Sequence, residues 1–372
     1  MVKCKMGSWQ RLPVIELIGP YPPPYGGIST HIQRMKAHLE AFGYRCVVYQ
    51  LSRSRYSPKN GNVVHIYHPR KWFLKKLFFG RHEILHCHES GWKLRVAMGI
   101  LGFFRRKTII TIHGSSLEDS LRNMNRIKRW VLRMALRHIT LIITVNPRIR
   151  DVVLSLGVKP DRVAVIPAFV LPEERRSDIE AIPQQVWEFI NSHYPIIAAN
   201  AYRITFFEGV DLYGIDMCIE LCANLKQSYP NIGFIFCLPD IGDYEYFEKM
   251  KQRIVKKGIE DNFLFQTKPC QFYPILMKSH VFVRSTNTDG DAVSLREALC
   301  FKIPSIASDA APRPEGVILF RNRDIHDFTA KVKSVLDNYE WYKKRVEAVK
   351  IESNAGKLIE IYQRLTVRRE KK

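Results

Sequence analysis

Short apolar runs alternate with helical stretches in two successive series along this chain, and this alternation limits the possible folds more than any other feature. The first series of strand-like runs occupies residues 13–19, 44–51, 83–88, 107–114, 141–145 and 163–169. The second series occupies residues 196–202, 232–239, 262–267, 280–286 and 304–309. Strands that alternate with helices and lack hairpin turns predict an α/β fold with parallel, doubly wound sheets.

The segments between the runs show helical spacing. Ile28, Ile32, Met35 and Leu39 recur every three or four residues within 28–43, which predicts a helix there. Further helices are predicted at about 214–229, 244–258, 294–301, 325–338 and 353–366.

The length of 372 residues is too great for one ordinary core and suits two. We predict a basic, Rossmann-like domain at 1–170, a linker at 171–195, a second Rossmann-like domain at 196–352 and a C-terminal helical segment at 353–372. Two such domains facing each other form a cleft. Because open α/β sheets bind ligands beyond the carboxyl ends of their strands, functional residues are expected just after strands.

The net charge of +22 is concentrated in the first part of the chain. Residues 1–150 contain 27 Lys and Arg against 6 Asp and Glu, whereas the remainder contains 31 against 30. This asymmetry predicts an anionic partner for the first domain: lipid headgroups, a phosphorylated substrate or nucleic acid. We find no membrane-spanning run, no secretory signal and no CxxC pair among the cysteines, so we expect a cytoplasmic protein with reduced thiols.

The first motif, GPYPPPYGGISTH at 19–31, joins a strand to a helix. Gly26 and Gly27 allow close approach of a ligand to the backbone, and the N-terminus of the following helix offers N–H groups to a phosphate. A plain turn is the alternative interpretation.

The second motif, at 286–309, surrounds a glycine-containing turn. Asp289 is expected on the loop, and Glu297, eight residues later, on the first turn of a helix that lies in an open cleft. Ser294 is a candidate N-cap. The alternative is a carboxylate that only caps the helix. In the functional interpretation the donor-binding backbone comprises Gly290, Asp291, Ala292, Val293 and Ser294.

This second motif resembles the E-x7-E region of retaining glycosyltransferases of family 4, with Asp289 in place of the first glutamate. GPYPPPYGGISTH is similar to the glycine-rich loop of that family, and TIHG at 111–114 resembles its histidine loop. VAVIPAF at 163–169 and the stretch 211–236 also resemble family segments, in the right order.

The resemblance implies the GT-B fold, with two Rossmann-like domains and a last helix that crosses back to the first. It also implies transfer of a sugar, with retention, from a nucleotide diphosphate sugar. His113 and Asp289 would address the donor sugar, Glu297 would hold the ribose, and Arg203 would bind the diphosphate. The family's second cation, a lysine, is replaced by Glu208 here.

Arg284 and Arg296 are candidates to replace that lysine. Positive groups and a helix N-terminus would stabilise the departing diphosphate. That leaving phosphate would itself take the acceptor proton, so no carboxylate nucleophile is required.

We expect no cofactor and no metal. In HCHE at 86–89, His86 and His88 share one strand face and permit two ligands, but the spacing suggests no third. The sequence DGD at 289–291 matches a metal motif only superficially.

Two basic, partly apolar stretches, 70–82 and 121–139, suggest contact with an anionic membrane surface. The alternative is an amphipathic helix packed on its own sheet. We therefore predict a peripheral enzyme on the inner face of the membrane, acting on a lipid-linked or polysaccharide acceptor of the cell surface.

Two other classes stay open from the residues alone. A basic protein without catalysis could bind nucleic acid, but no stacking pattern or recognition helix supports it. A nicotinamide oxidoreductase would fit paired Rossmann domains, but the glycine fingerprint is missing.

Overall fold

The computed structural model describes residues 13–23, 25–51, 62–79, 83–88, 91–114 and 116–367. Residues 1–12 lie outside this described part. So do positions within four stretches for which the sequence makes predictions: 19–31, 70–82, 86–89 and 353–372. The chain forms two compact units, each built on its own sheet. The first unit contains the described residues up to 21, together with 32–166 and 355–367, and the second contains 22–31 and 167–354.

The first unit is built on a seven-stranded parallel sheet with strand order β3-β2-β1-β4-β5-β6-β7. Its strands are β1 (Val14–Ile18), β2 (Arg45–Gln50), β3 (Val63–His65), β4 (Ile84–Cys87), β5 (Lys107–Ile112), β6 (Leu141–Thr144) and β7 (Val163–Val165). Its helices are α1 (Gly27–Ala41), which begins in the second unit, α2 (Pro69–Phe78), α3 (Trp92–Phe103), α4 (Ser116–Arg122), α5 (Arg126–His138) and α6 (Pro147–Ser155). The central strands are buried on both faces, which explains their nearly continuous apolar sequences.

The second unit contains a six-stranded parallel sheet with order β12-β11-β8-β13-β14-β15. Its strands are β8 (Ile196–Asn200), β11 (Gly233–Cys237), β12 (Phe263–Gln266), β13 (Val281–Arg284), β14 (Ser305–Ser308) and β15 (Ile318–Phe320), with a separate hairpin of β9 (Phe206–Phe207) and β10 (Val210–Asp211). Its helices are α7 (Arg176–Glu180), α8 (Gln184–Ser192), α9 (Ile215–Lys226), α10 (Tyr244–Lys256), α11 (Tyr273–Leu276), α12 (Val293–Cys300), α13 (Ile325–Asp337) and α14 (Tyr339–Glu347). The parallel, doubly wound sheets predicted from the sequence are confirmed.

The segment predicted as a linker has two helices. Val186 on α8 packs in one apolar cluster with Ile196 on β8 and Ile235 on β11. The end of this segment therefore contributes to the core of the second unit.

The last helix, α15 (Ala355–Val367), belongs to the first unit. Tyr362 is fully buried and its hydroxyl is hydrogen-bonded to Nδ1 of His86 on β4. Lys107 at the start of β5 donates to the main-chain oxygen of Leu365 at 2.6 Å. None of the described helices has the length and apolar character needed to cross a bilayer.

Candidate active site

Asp289 lies in the loop that follows β13, and two arginines bind its carboxylate. Oδ2 of Asp289 accepts from Nε of Arg284 at 2.7 Å and from Nη1 of Arg313 at 2.9 Å. The hydroxyl of Thr286 lies 3.3 Å from the same oxygen. Burial favours the neutral acid, but the two guanidinium groups outweigh it and hold the pKa of Asp289 below its ordinary value. The residue is therefore a fixed, ionised carboxylate.

Oδ1 of Asp289 has a different environment from Oδ2. It accepts no hydrogen bond from any residue that the structure describes. One oxygen thus anchors the loop, and the second is available as an acceptor.

Arg313 is a residue of the candidate site that the sequence analysis missed. Its side chain is only 2% exposed. Besides Asp289, it donates to the main-chain oxygen of Ser308 at the end of β14 and to Oγ1 of Thr286. Arg313 therefore ties the Asp289 loop to the carboxyl end of the neighbouring strand. The only local signal is the sequence PRP at 312–314, which indicates a turn but no ion pair.

Arg284 and Arg296, the two candidates to replace the family lysine, are both paired with loop aspartates. Arg284 pairs with Asp289, as described above. Nε of Arg296 donates to Oδ1 of Asp291 at 2.7 Å. Oδ2 of Asp291 accepts from the main-chain N–H of Ala168 at 2.9 Å, so its carboxylate is occupied on both sides.

The start of α12 differs from its predicted form. The N-cap is Ala292, so the expectation of a Ser294 cap is wrong. Ser294 is instead the second helical residue, and its Oγ lies 3.4 Å from Nη1 of Arg284. Glu297 lies on the second turn, and at 4% exposure it is buried rather than in an open position. The helix is preceded by Gly290, Asp291 and its N-cap Ala292, and it begins at Val293.

Arg203 lies just after β8, at the carboxyl edge of the second sheet. Its side chain is 48% exposed, and its Nε lies 3.8 Å from Oδ2 of Asp240. A Cβ atom on Gly242 would come within 2.9 Å of that Nε, so the glycine makes room for the guanidinium. Arg203 is the predicted phosphate ligand with the greatest exposure to solvent.

Glu208, at the family lysine position, occupies the two-residue turn between β9 and β10. Its φ is 50°, and that of Gly209 is 78°. Both residues of the turn are left-handed, as a tight hairpin requires. Position 208, where the family resemblance implies a lysine, is therefore a glutamate in the turn of a local hairpin.

The predicted glycine loop is positioned by Gly26. A Cβ atom at Gly26 would lie 2.7 Å from Cδ2 of Tyr202, the residue before Arg203, whereas a Cβ atom at Gly27 would meet nothing within 4 Å. Ser29 accepts from the Gly26 N–H at 2.8 Å and donates to the Gly26 oxygen at 3.1 Å. The described geometry thus explains the glycine at position 26 by contact with a tyrosine ring.

His113 follows β5, at the carboxyl edge of the first sheet. Its Nε2 lies 3.0 Å from Nδ1 of His88, which follows the neighbouring strand β4. His86 contacts Thr111 through Nε2 and Tyr362 through Nδ1, so both of its ring nitrogens have protein partners. These two contacts hold the His86 ring within the first unit, and the expectation of no metal stays a prediction.

The structure brings some of the predicted residues together. Direct contacts join Arg284, Asp289 and Ser294, while Asp291 forms a second pair with Arg296. His113 belongs to the first unit.

Comparison with known proteins identifies the family. The profile of Glycosyltransferase Family 4 matches residues 25–174. The profile of Glycosyl transferases group 1 matches residues 200–352. This chain belongs to the family 4 glycosyltransferases. The resemblance stated from the sequence is thereby confirmed, and the enzyme is a glycosyltransferase.

Solved structures support the fold of this glycosyltransferase. Anabaena Alr3699/HepE, crystallised with UDP-glucose, is 15% identical with a TM-score of 0.66, over 94% of this chain and 98% of that one. A glycosyltransferase from Rickettsia africae is 13% identical with a TM-score of 0.69, over 96% and 100%. Sucrose-phosphate synthase from Thermosynechococcus elongatus is 15% identical with a TM-score of 0.64, over 95% and 99%. A search of curated proteins finds no match. The predicted GT-B fold, with two Rossmann-like units, is confirmed.

Proposed function

We propose that this glycosyltransferase moves a hexose from a nucleotide diphosphate sugar to a lipid-linked or glycan acceptor, with retention at the anomeric carbon. The observation that carries the proposal is the carboxyl edge of the second sheet, where Arg203 follows β8, Arg284 is the last residue of β13, and the N-terminus of α12 follows β13. Such an edge is where open α/β sheets bind nucleotides. The Anabaena neighbour was crystallised with UDP-glucose, which supports a donor of this class.

The diphosphate would be stabilised by two arginines of different character. Arg203 is half exposed and can turn towards a phosphate. Arg284 uses Nε for Asp289, and its Nη2 makes no hydrogen bond to any described residue. Since the leaving group gains charge as the glycosidic bond breaks, fixed cations and the first N–H groups of α12 lower the barrier.

The transfer itself requires one bond to break and one to form. The anomeric carbon loses its bond to the diphosphate oxygen and gains a bond to the acceptor oxygen. The acceptor proton passes to the leaving phosphate. Oδ1 of Asp289 would accept from a hydroxyl of the donor sugar, and the family resemblance assigns a contact with the donor sugar to His113 as well. The buried carboxylate of Glu297 would hold the ribose.

We propose that the reaction needs no divalent metal. The two aspartates of the DGD sequence are engaged by guanidinium groups, Asp289 by Arg284 and Arg313 and Asp291 by Arg296. A cation at the same carboxylates would be repelled by these three arginines.

We also propose a peripheral position on an anionic membrane. On α5, Ile127 and Trp130 are 73% and 62% exposed among basic residues, while Leu132 and Leu136 are buried. This helix therefore has an inner apolar face and an outer face that is both basic and apolar, the pattern of an interfacial helix.

A thermal-shift screen with nucleotide diphosphates and their sugars tests the donor. Saturating ligand should raise the melting temperature, because binding to the folded state alone stabilises it. Sugar transfer from the best ligand is then followed with chelator present, and the anomeric configuration of the product is read by NMR. If no nucleotide diphosphate raises the melting temperature, the donor proposal is wrong.

Glu297→Gln is the variant for the ribose contact, with Glu340→Gln on the exposed face of α14 as its control. The glutamine keeps the size of the buried side chain. We expect the first variant to lose most of the ligand-induced shift in melting temperature and the second to keep it.

A strict requirement of sugar transfer for Mg²⁺ or Mn²⁺ would contradict the proposed metal independence.

A further inference from the structure

A cavity of about 640 Å³ lies in the first unit, at the amino ends of β5 and β6. It is bounded by the end of α3, the end of α5, the short helical turn at Pro160–Arg162 and the C-terminal part of α15. His113 follows the other end of β5. His113 lies six positions of extended strand beyond Lys107, which corresponds to a distance of about 20 Å. The cavity is therefore distinct from the position of His113.

The lining of this cavity is strongly cationic. Its charged Lys, Arg and Asp side chains are Arg105, Arg106, Lys107, Arg162, Arg364 and one acid, Asp161. Arg105, Arg162 and Arg364 form no ion pair with any residue in the described part of the chain.

Three of these cations donate hydrogen bonds to main-chain oxygens. Arg106 donates to the main-chain oxygen of Leu77, and Arg162 to that of Arg137, both at 2.8 Å. Lys107 donates to the main-chain oxygen of Leu365. A carbonyl oxygen orients a cation without neutralising it, so Arg162 keeps its full charge and, together with Arg105 and Arg364, would attract an anion to this cavity.

Exposed aromatic rings surround the opening. Phe103 lines the cavity and is 61% exposed, and Phe104 beside it is 56% exposed. The hydrogen bond from Arg106 to Leu77 brings the end of α2 to the same place, where Phe78 and Phe79 are 66% and 69% exposed. Apolar rings beside guanidinium groups are typical of contacts with the headgroup region of a bilayer.

We propose that this cavity is a second anion site, which binds a phosphate group apart from the donor. Arginine is suited to phosphate because its planar fork donates two parallel hydrogen bonds. The four phenylalanines favour a phospholipid headgroup as the source of the phosphate over a soluble phosphate. Phosphate binding in this cavity does not require any particular donor sugar.

The test uses the full-length enzyme and no activity measurement, so its failure leaves the proposed sugar transfer intact. Arg105→Gln with Arg364→Gln removes two exposed charges from the cavity. Arg45→Gln with Arg150→Gln removes two exposed charges from the same unit elsewhere. One arm measures co-sedimentation with phosphatidylcholine vesicles that contain or lack phosphatidylglycerol. The other measures the thermal shift with inorganic pyrophosphate.

We expect the cavity variant to bind its phosphate ligand about tenfold more weakly or worse, and the control to bind nearly as the wild type does. Binding to the anionic vesicles, further reduced by Phe103→Ser with Phe104→Ser, identifies a lipid source. A shift with pyrophosphate and no vesicle binding identifies a soluble phosphate at the same site. The proposal is overturned if neither probe binds, or if both double variants lose binding equally.

Discussion

Arg313 donates from Nη1 to Oδ2 of Asp289 at 2.9 Å, across 24 positions of the chain. Arg284, the last residue of β13, donates to the same oxygen, so one largely buried carboxylate joins the end of β13 to the loop that follows its neighbour β14. Pairs of this kind keep an acid ionised and immobile, which suits the role proposed for Asp289, whose second oxygen would accept from a sugar hydroxyl.

The stability contributed by Asp289 should depend on pH in a defined direction. Its folded-state pKa is below the ordinary value of about 3.9, so its contribution is fully present above that value and is lost as the pH falls through the lower folded pKa. Asp289→Asn should therefore cost several kcal/mol near pH 6, because two buried guanidinium groups lose their partner, and progressively less below about pH 4. Urea unfolding of both proteins at a series of pH values measures the difference. A difference that does not change with pH would show that the carboxylate is not held ionised.

Gly26 and Gly27 provide a matched pair of substitutions. Gly26→Ala places a methyl group 2.7 Å from the Tyr202 ring, so the loop or the ring must move. Gly27→Ala meets nothing within 4 Å and lies at the first position of α1. We expect the first variant to weaken donor binding at least severalfold and the second to leave it unchanged. Equal donor affinities in the two variants would show that the Tyr202 contact has no effect on the site.

Lys76 and Glu16 form a buried ion pair in the first unit, and Glu83 lies 2.9 Å from the same Nζ atom. Lys76→Met should cost about 3–5 kcal/mol, because it leaves Glu16 buried without its cation. Adding Glu16→Leu should restore most of the loss. Lys75→Met, on the exposed face of the same helix, is the control. If the double variant is no more stable than the single one, the pair is not the source of the effect.

The same pair predicts a pH dependence for Lys76→Met. Burial, offset in part by Lys76, raises the pKa of Glu16 to about 7. Removing the lysine removes a group that lowers this pKa. A raised folded-state pKa gives stability that is present below the unfolded value of about 4.3 and is lost as the pH rises through the folded value. The destabilisation by Lys76→Met should thus be larger at pH 8 than at pH 5, which denaturant titrations at the two pH values will measure.

The sheets could be predicted because their strands are buried on both faces. IIAAN in β8 and LIIT in β6 are apolar except for the last residue of each, and such runs between helices have few alternatives to a parallel sheet. The β9–β10 hairpin was missed because its turn, Glu208-Gly209, lacks the Asn-Gly or Asp-Gly sequence that signals such turns.

The candidate site could be predicted only in part. Asp289 and Arg203 could be found because they follow strands, where ligands bind. Arg313 could not, because its pairing with Asp289 depends on tertiary structure and leaves no local spacing. The Ser294 cap was wrong for a related reason: the helix starts at Val293, and the serine hydroxyl faces Arg284.

Tyr362 tests the attachment of the last helix to the first sheet. Its hydroxyl is hydrogen-bonded to Nδ1 of His86, and its ring is fully buried beside Tyr44. Tyr362→Phe should cost about 1–2 kcal/mol through the lost hydrogen bond, and Tyr362→Ala about 3–5 kcal/mol through the cavity that it leaves. Glu360→Ala, on the exposed side of α15, should cost less than about 0.5 kcal/mol. Denaturant unfolding, combined with hydrogen exchange at β4, gives the measurement. If Tyr362→Ala leaves exchange at β4 unchanged, the stability of this strand does not depend on the helix, and the contact is incidental.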